Sequence, residues 1–174
     1  MRLTPVMQRY ILHWGEMGGR WGVNRSVAQI HALLYLAPAG LHADEIAETL
    51  GIARSNVSVG LRELLSWDLV QVTHTLGDRR DCFVAQHDPW EVIRVIIEGR
   101  KRREIDPTLA VLRACVAQLE SDHETPPEAR DRIRGQLDFL ETVTGWYEAL
   151  RGLPRKTLLK MMRMGQRIAR VLGD

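Results

Sequence analysis

Residues 43–85 read ADEIAETLGIARSNVSVGLRELLSWDLVQVTHTLGDRRDCFVA. The apolar spacing of this stretch predicts a helix over 43–50 and a second helix over 54–67, joined by a tight turn at Gly51. An alternating, β-branched run at 70–75, a polar tip and a return strand at 82–85 then predict a β-hairpin. Two helices joined by a tight turn and followed by a hairpin indicate a winged helix-turn-helix.

The second predicted helix separates an apolar stripe from a polar face. Val57, Leu61 and Leu64 recur on one side of the helix, so the opposite side faces outwards. A helix that enters a DNA major groove needs short polar side chains and hydrogen-bond donors on such a face. The residues predicted to contact DNA from this helix are Arg54, Ser55, Asn56, Ser58 and Arg62.

The tip of the predicted hairpin carries both basic and acidic residues. Arg79 and Arg80 lie between Asp78 and Asp81. Arginines on a protruding loop suit insertion into a narrow minor groove, so Arg79 and Arg80 are predicted as further DNA contacts. The two aspartates either cancel part of this charge or orient one guanidinium group by a salt bridge.

The rest of the chain is predicted to be helical. A capping side chain precedes a proline at Thr4-Pro5, Asp88-Pro89, Asp106-Pro107 and Thr125-Pro126. Thr125 also begins a Thr-x-x-Glu capping box. The remaining predicted helices cover 5–17, 25–37, 89–120 with a bend or restart at Pro107, 126–151 and 155–171. The predicted fold is therefore mainly α with a small β-hairpin wing, with a winged-helix DNA-binding domain over 1–87 and a helical dimerisation region over 88–174.

Several runs together resemble the GbsR-like branch of the MarR superfamily. They are Ala43-Asp44-Glu45-Ile46-Ala47, Leu50-Gly51-Ile52, Asn56-Val57-Ser58, Gly77-Asp78-Arg79-Arg80-Asp81 and Arg100-Lys101-Arg102-Arg103-Glu104-Ile105-Asp106-Pro107. The resemblance covers about residues 5–115. It implies a homodimeric bacterial transcriptional regulator, often a repressor that responds to a small ligand, with a double-stranded DNA operator in inverted repeat as its partner. The chain departs from the family pattern at Ala53, where a Ser or Thr cap is usual, and at His42 and Cys82.

The resemblance also implies a quaternary-ammonium effector, and such a cation is bound by an aromatic cage. The candidate cage residues are Tyr10, Trp14 and Trp21. Tyr10 and Trp14 are four residues apart, so they share one face of the first helix. The alternative is that these rings belong to the core or to a dimer interface.

Other classes of protein are disfavoured by composition and motifs. The chain is 45% hydrophobic and 26% charged, it has no apolar run long enough to span a membrane, and its start lacks a signal-peptide pattern. A cytoplasmic protein without membrane partners is expected. The sequence contains no Gly-rich phosphate loop, His-Glu-x-x-His or Gly-x-Ser-x-Gly motif, so neither an enzyme nor a cofactor is predicted. Cys82, His74 and His87 form too weak a pattern to predict a metal site.

The charge of residues 1–87 leaves two alternatives to a DNA-binding function open. Residues 1–87 carry eight basic and eight acidic side chains, which is unusual for a DNA-binding domain. This balance favours a winged helix that contacts another protein. A ligand sensor without strong DNA binding is the second alternative. The arginines of the hairpin and the polar face of the second helix favour DNA.

Overall fold

The computed structural model describes residues 1–74 and 76–172, with side chains up to residue 165. The chain forms two compact units, Met1–Lys101 and Arg102–Asp174. The predicted functional division between residues 87 and 88 stays a prediction. Among the described residues, no helix is both long and apolar enough to cross a membrane.

The first unit contains five helices and a small sheet. They are α1 (Pro5–Arg20), α2 (Arg25–Leu36), β1 (Leu41–His42), α3 (Ala43–Leu50), α4 (Arg54–Ser66), β2 (Val70–Thr73), β3 (Cys82–Ala85) and α5 (Pro89–Arg100). The predicted helix-turn-helix is α3 and α4. Gly51 ends α3 in the left-handed region at φ 64°, where glycine meets no steric penalty, and the chain turns directly into α4.

The core of the first unit lies between α1, α2 and α4. Ile30, Leu33 and Val57 are completely buried there. Gly18 lies in α1 where this helix approaches α2 closely: a Cβ at Gly18 would lie 2.5 Å from Cβ of Ala28. The contact between these helices therefore requires a residue without a side chain at position 18.

The sheet has three strands in the order β1–β3–β2, and all pairs are antiparallel. Phe83 in the central strand pairs with Leu41 on one side and Val72 on the other. The hairpin of β2 and β3, hereafter the wing, was predicted. The prediction that the sheet has only these two strands was wrong, because two residues of β1 are too few to show a period. Strand β2 ends at Thr73, and Thr75 of the predicted strand lies outside the described residues.

The second unit is helical. A π-helical turn over Lys101–Ile105 leads into α6 (Asp106–Gln118), which is followed by α7 (Pro127–Arg151) and α8 (Arg155–Leu172). The predicted bend or restart at Pro107 coincides with the change from the π-helical turn to α-helix at Asp106, since proline has no N–H to donate to the preceding turn and its ring disturbs that turn. Helices α6 and α7 pack together and are joined by an ion pair between Arg113 Nε and Glu141 Oε1 at 2.8 Å.

Two of the four predicted helix caps are confirmed. The Thr4 hydroxyl accepts a hydrogen bond from the Met7 N–H at 3.3 Å, and the Asp88 carboxylate accepts one from the Trp90 N–H at 3.0 Å. The proline that follows each cap begins its helix.

The other two predicted caps are wrong. Asp106 follows a residue that is already helical, so α6 continues from the π turn without a cap. Helix α7 begins at Pro127, one residue later than predicted, and has no side-chain cap. The Thr125 hydroxyl instead donates to the Asp122 carboxylate, which lowers the pKa of Asp122. This local bond replaces the predicted capping box.

We expect Gly18→Ala to lower the free energy of unfolding by about 1–3 kcal/mol, since the added methyl group overpacks the contact between α1 and α2. Gly19→Ala is the matched control, because a Cβ there meets nothing within 4 Å. Removing a glycine from an open helical position should raise stability by up to about 1 kcal/mol. Urea unfolding of both variants measures the difference, and equal effects would contradict the close approach.

Candidate functional site

Helix α4, the start of α3 and the sheet enclose an open groove, hereafter the α4–wing groove. Four of the residues predicted to contact DNA line it: Arg54, Ser58, Arg62 and Arg80. Ser55 and Asn56 lie outside this lining but are exposed on the first turn of α4, and Arg79 is exposed at the wing tip. The fold therefore brings residues 54–62 of α4 and a wing arginine to one surface.

Arg54 is held at two points at the start of α4. Its Nε donates to Asp44 Oδ1 of α3 at 2.5 Å, and its Nη1 donates to the Ser58 hydroxyl at 2.6 Å. The Ser58 hydroxyl in turn donates to the Arg54 carbonyl oxygen at 3.1 Å. Ala53 precedes the helix without a side-chain cap, as its sequence predicts. The side chains that order this first turn are therefore Asp44, Arg54 and Ser58.

Arg80 is held by an aspartate of the wing. Its Nη2 and Nε donate to the Asp78 carboxylate at 2.6 Å and 3.0 Å, and its backbone N–H donates to the same group. These bonds hold the pKa of Asp78 well below its usual range. The interpretation in which an aspartate orients one guanidinium group is thus confirmed. Arg79 makes no ion pair with the part of the chain that the structure describes.

His42 joins the start of α3 to the wing. Its Nδ1 lies 2.9 Å from the Asp81 carbonyl oxygen, and its Nε2 lies 3.6 Å from Asp78 Oδ2. Its backbone N–H donates to the Glu45 carboxylate at 2.7 Å, which is one half of a capping box. Sequence reasoning noted His42 only as an unusual cap and missed Asp44 entirely. Their partners lie 10 to 39 residues away in the sequence, where no local pattern connects them.

A second concave surface of the first unit is a small apolar cavity of about 100 Å³, partly open to solvent. It is bounded by α1, α2, α4 and α5, and we call it the tryptophan cavity because Trp14, Trp21 and Trp67 line it. Tyr10 of the predicted cage does not line it. The Tyr10 ring stacks at 6.4 Å on Tyr35 and meets Trp14 edge-on at 5.8 Å.

Three polar side chains also line the tryptophan cavity: His31, Glu63 and Arg100. The Nε2 atom of His31 is buried and has no hydrogen-bond partner among the described residues. Burial lowers the pKa of His31 to about 4, because an apolar environment disfavours the charged imidazolium. His31 is therefore neutral at physiological pH.

The cavity reaches the end of α4. Glu63, Leu64 and Trp67 supply its wall from that side. The Trp67 ring lies against Gly99 of α5, where a Cβ would be only 2.6 Å from the ring. The cavity and the α4–wing groove are therefore both lined by residues of α4.

Comparison with known proteins shows a resemblance to one family of regulators. Residues 21–81, which span the helix-turn-helix and the wing tip, match the family model of the MarR family. The HTH-type transcriptional repressor GbsR of Bacillus subtilis (strain 168) is 22% identical over 136 residues, which cover 76% of this chain and 75% of GbsR. The putative HTH-type transcriptional regulator YvaV of the same organism is 19% identical and covers 75% of each chain. These matches show that the chain resembles the GbsR-like branch of the MarR family.

One solved structure agrees with the fold of this chain. The crystal structure of a transcriptional regulator covers 83% of this chain and 95% of its own length, with a TM-score of 0.68 and 18% identity. The chain has a winged-helix fold, and the proteins that it resembles are described as HTH-type transcriptional regulators. Because members of this family are regulators, the prediction that the protein is not an enzyme is confirmed.

His31 is partly exposed, but its Nε2 atom is buried, and this makes the stability of the protein depend on pH. Its pKa in the folded protein lies below the ordinary value of 6.5, so the neutral form is the one that stabilises the fold. This contribution is complete above about pH 6.5 and is lost as the pH falls towards 4. We expect unfolding in urea at pH 7.5 and 4.5 to show a loss of stability about 2–3 kcal/mol larger for the natural chain than for His31→Phe. Equal losses would show that the imidazole is not buried.

Proposed function

We propose that this protein is a MarR-family regulator that binds a double-stranded DNA operator through the α4–wing groove as a homodimer and acts as a repressor. The observation that carries the proposal is the convergence of arginines from two elements on one groove: Arg54 and Arg62 from α4, and Arg80 from the wing. Arginine forks match both phosphate oxygens and the O6 and N7 atoms of guanine. The description of GbsR as a repressor supports the direction of control.

The exposed polar face of α4 supports base reading. Ser55 and Asn56 are exposed on its first turn, and no acidic residue precedes Glu63 within α4. An asparagine can pair with adenine through two hydrogen bonds. Arg79, which is exposed at the wing tip, is suited to the adjacent minor groove or to phosphates. A regulator that reads DNA in this way acts in the cytoplasm of a bacterium.

Exposed apolar side chains support a homodimer formed by residues 88–174. Phe139, Val143 and Trp146 recur at the spacing of one face of α7 and are exposed in the single chain. A second copy of the chain would bury them. A two-fold dimer also presents two α4 helices, and two helices about one DNA turn apart read an operator in inverted repeat.

We also propose that a small cationic ligand bound in the tryptophan cavity releases the operator. Aromatic faces attract a cation, and Glu63 adds a negative charge to the walls of the cavity. Trp14 and Trp21 of the proposed cage line the cavity, with Trp67 in place of Tyr10. Because Trp67 holds the end of α4 against α5, a ligand there would shift the helix that reads the operator.

The DNA contacts of the wing are tested with Arg79→Ala and Arg80→Ala. The operator is first selected from a random DNA pool with the natural chain. Each lost phosphate contact should lower the slope of log affinity against log salt by about 0.9, because one condensed counterion fewer is released. We expect both variants to weaken binding to selected and random DNA alike, as measured by fluorescence anisotropy at four salt concentrations.

The control is Arg113→Ala, which removes the same charge from an ion pair on α6. It should leave affinity and slope unchanged. Failure of the natural chain to enrich any DNA from the pool would favour the alternative of a winged helix that contacts proteins.

The ligand site is tested by titration with tetramethylammonium chloride, with tert-butanol as the neutral compound of similar shape. We expect saturable quenching of tryptophan fluorescence by the cation only. Loss of one aromatic wall in Trp21→Leu should weaken binding about 2- to 30-fold, since a cation–π contact contributes about 0.5–2 kcal/mol. Trp90→Leu on α5 is the control, because Trp90 does not line the cavity. Equal quenching by both compounds would contradict a cation cage.

A further inference from the structure

Asp44 is an acidic side chain in a groove proposed to receive DNA. It lines the α4–wing groove beside Arg54 and Arg80. A carboxylate repels the phosphates that such a groove must approach. Its pairing with Arg54 does little for folding, because the side chains of Asp44 and Arg54 are 74% and 51% exposed and exposed ion pairs contribute little. The position of Asp44 therefore calls for another role.

The geometry of the Arg54 side chain indicates that role. Asp44 holds Nε from α3 and Ser58 holds Nη1 from the next turn of α4, at 2.5 Å and 2.6 Å. Contacts on two sides fix both the plane and the direction of the guanidinium group. Three of its five N–H donors remain available to a ligand.

We propose that Asp44 is a positioning residue that determines operator specificity by orienting Arg54 towards a base edge, an inference that rests on the proposed DNA-binding function. A mobile arginine contacts any nearby phosphate and gains affinity without sequence preference. An arginine whose direction is fixed offers a fork that only a matching pair of acceptors can occupy, and guanine O6 and N7 form such a pair.

A second arginine of the α4–wing groove, Arg62, has no carboxylate partner among the described residues and can be compared with Arg54. Arg62 lies two turns further along α4 and makes no hydrogen bond or ion pair with any residue that the structure describes. Arg62 is therefore assigned to phosphate, and Arg54 to a base. The two arginines differ in the presence of a carboxylate partner, and Asp44 supplies it.

The experiment compares Asp44→Asn with Glu48→Gln. Both substitutions remove one negative charge from an exposed residue of α3, but Glu48 does not line the groove. Operator sequences are selected from a random pool with each full-length protein, and affinities are then measured on the selected operator and on its single-base variants.

We expect Asp44→Asn to bind random DNA as well as or better than the natural chain does. Discrimination at one base pair of each half-site should fall about 5- to 150-fold, the range for one lost arginine–guanine fork. Glu48→Gln should keep the selected sequence. Arg54→Lys, which keeps the charge but loses the fork, should lose discrimination at the same base pair. Adding Asp44→Asn to Arg54→Lys should not lower that discrimination any further.

Two negative results are distinguishable. If the natural chain selects no sequence, the proposed function fails and this inference fails with it. If the natural chain selects an operator and Asp44→Asn selects the same one with equal discrimination, only the positioning role of Asp44 is overturned.

Discussion

The burial of one stripe of α4 against α2 is the constraint on which the rest of the first unit depends. Val57 is completely buried, and Leu61 and Leu64 are nearly so. Each such side chain contributes about 1.5–3 kcal/mol when it leaves water. Gly60 lies in the same stripe, where a Cβ would meet the Ile30 side chain, so the two helices pack closely. Once this stripe is buried, the helix has one orientation, and its polar face must point outwards into the α4–wing groove.

Carboxylates explain why a groove lined by arginines belongs to a domain with no net charge. Asp44 engages Arg54, and Asp78 engages Arg80. Each aspartate cancels one positive charge in the total, yet it leaves an oriented guanidinium group on the surface. Net charge measures the sum of these groups and carries no information on their direction. The balance of eight basic and eight acidic residues therefore does not argue against nucleic acid in this fold.

The tryptophan cavity and the α4–wing groove share α4 as a common wall. Glu63 and Leu64 face the cavity from the helix whose first turn carries Arg54 and Ser58. Gly99 lets the Trp67 ring lie directly on α5, so the end of α4 is held by packing rather than by a flexible loop. Because a close-packed contact moves together with a rigid helix, the ligand proposed for the cavity would have a physical route to the α4–wing groove.

The local features of this protein were determined by its sequence alone. The helix-turn-helix, the wing and the caps at Thr4 and Asp88 were all predicted, because each depends on the spacing or side chains of one short segment. Even a local prediction failed at Thr125, because its hydroxyl donates to the Asp122 carboxylate and does not cap α7. The tertiary structure decided which separate segments come together. It pairs β1 with β3, brings Asp44 to Arg54, and leaves Tyr10 out of the cavity wall that Trp14 and Trp21 line. Periodicity reports which face of an element is buried, whereas the partner of a side chain depends on which distant segment packing brings beside it.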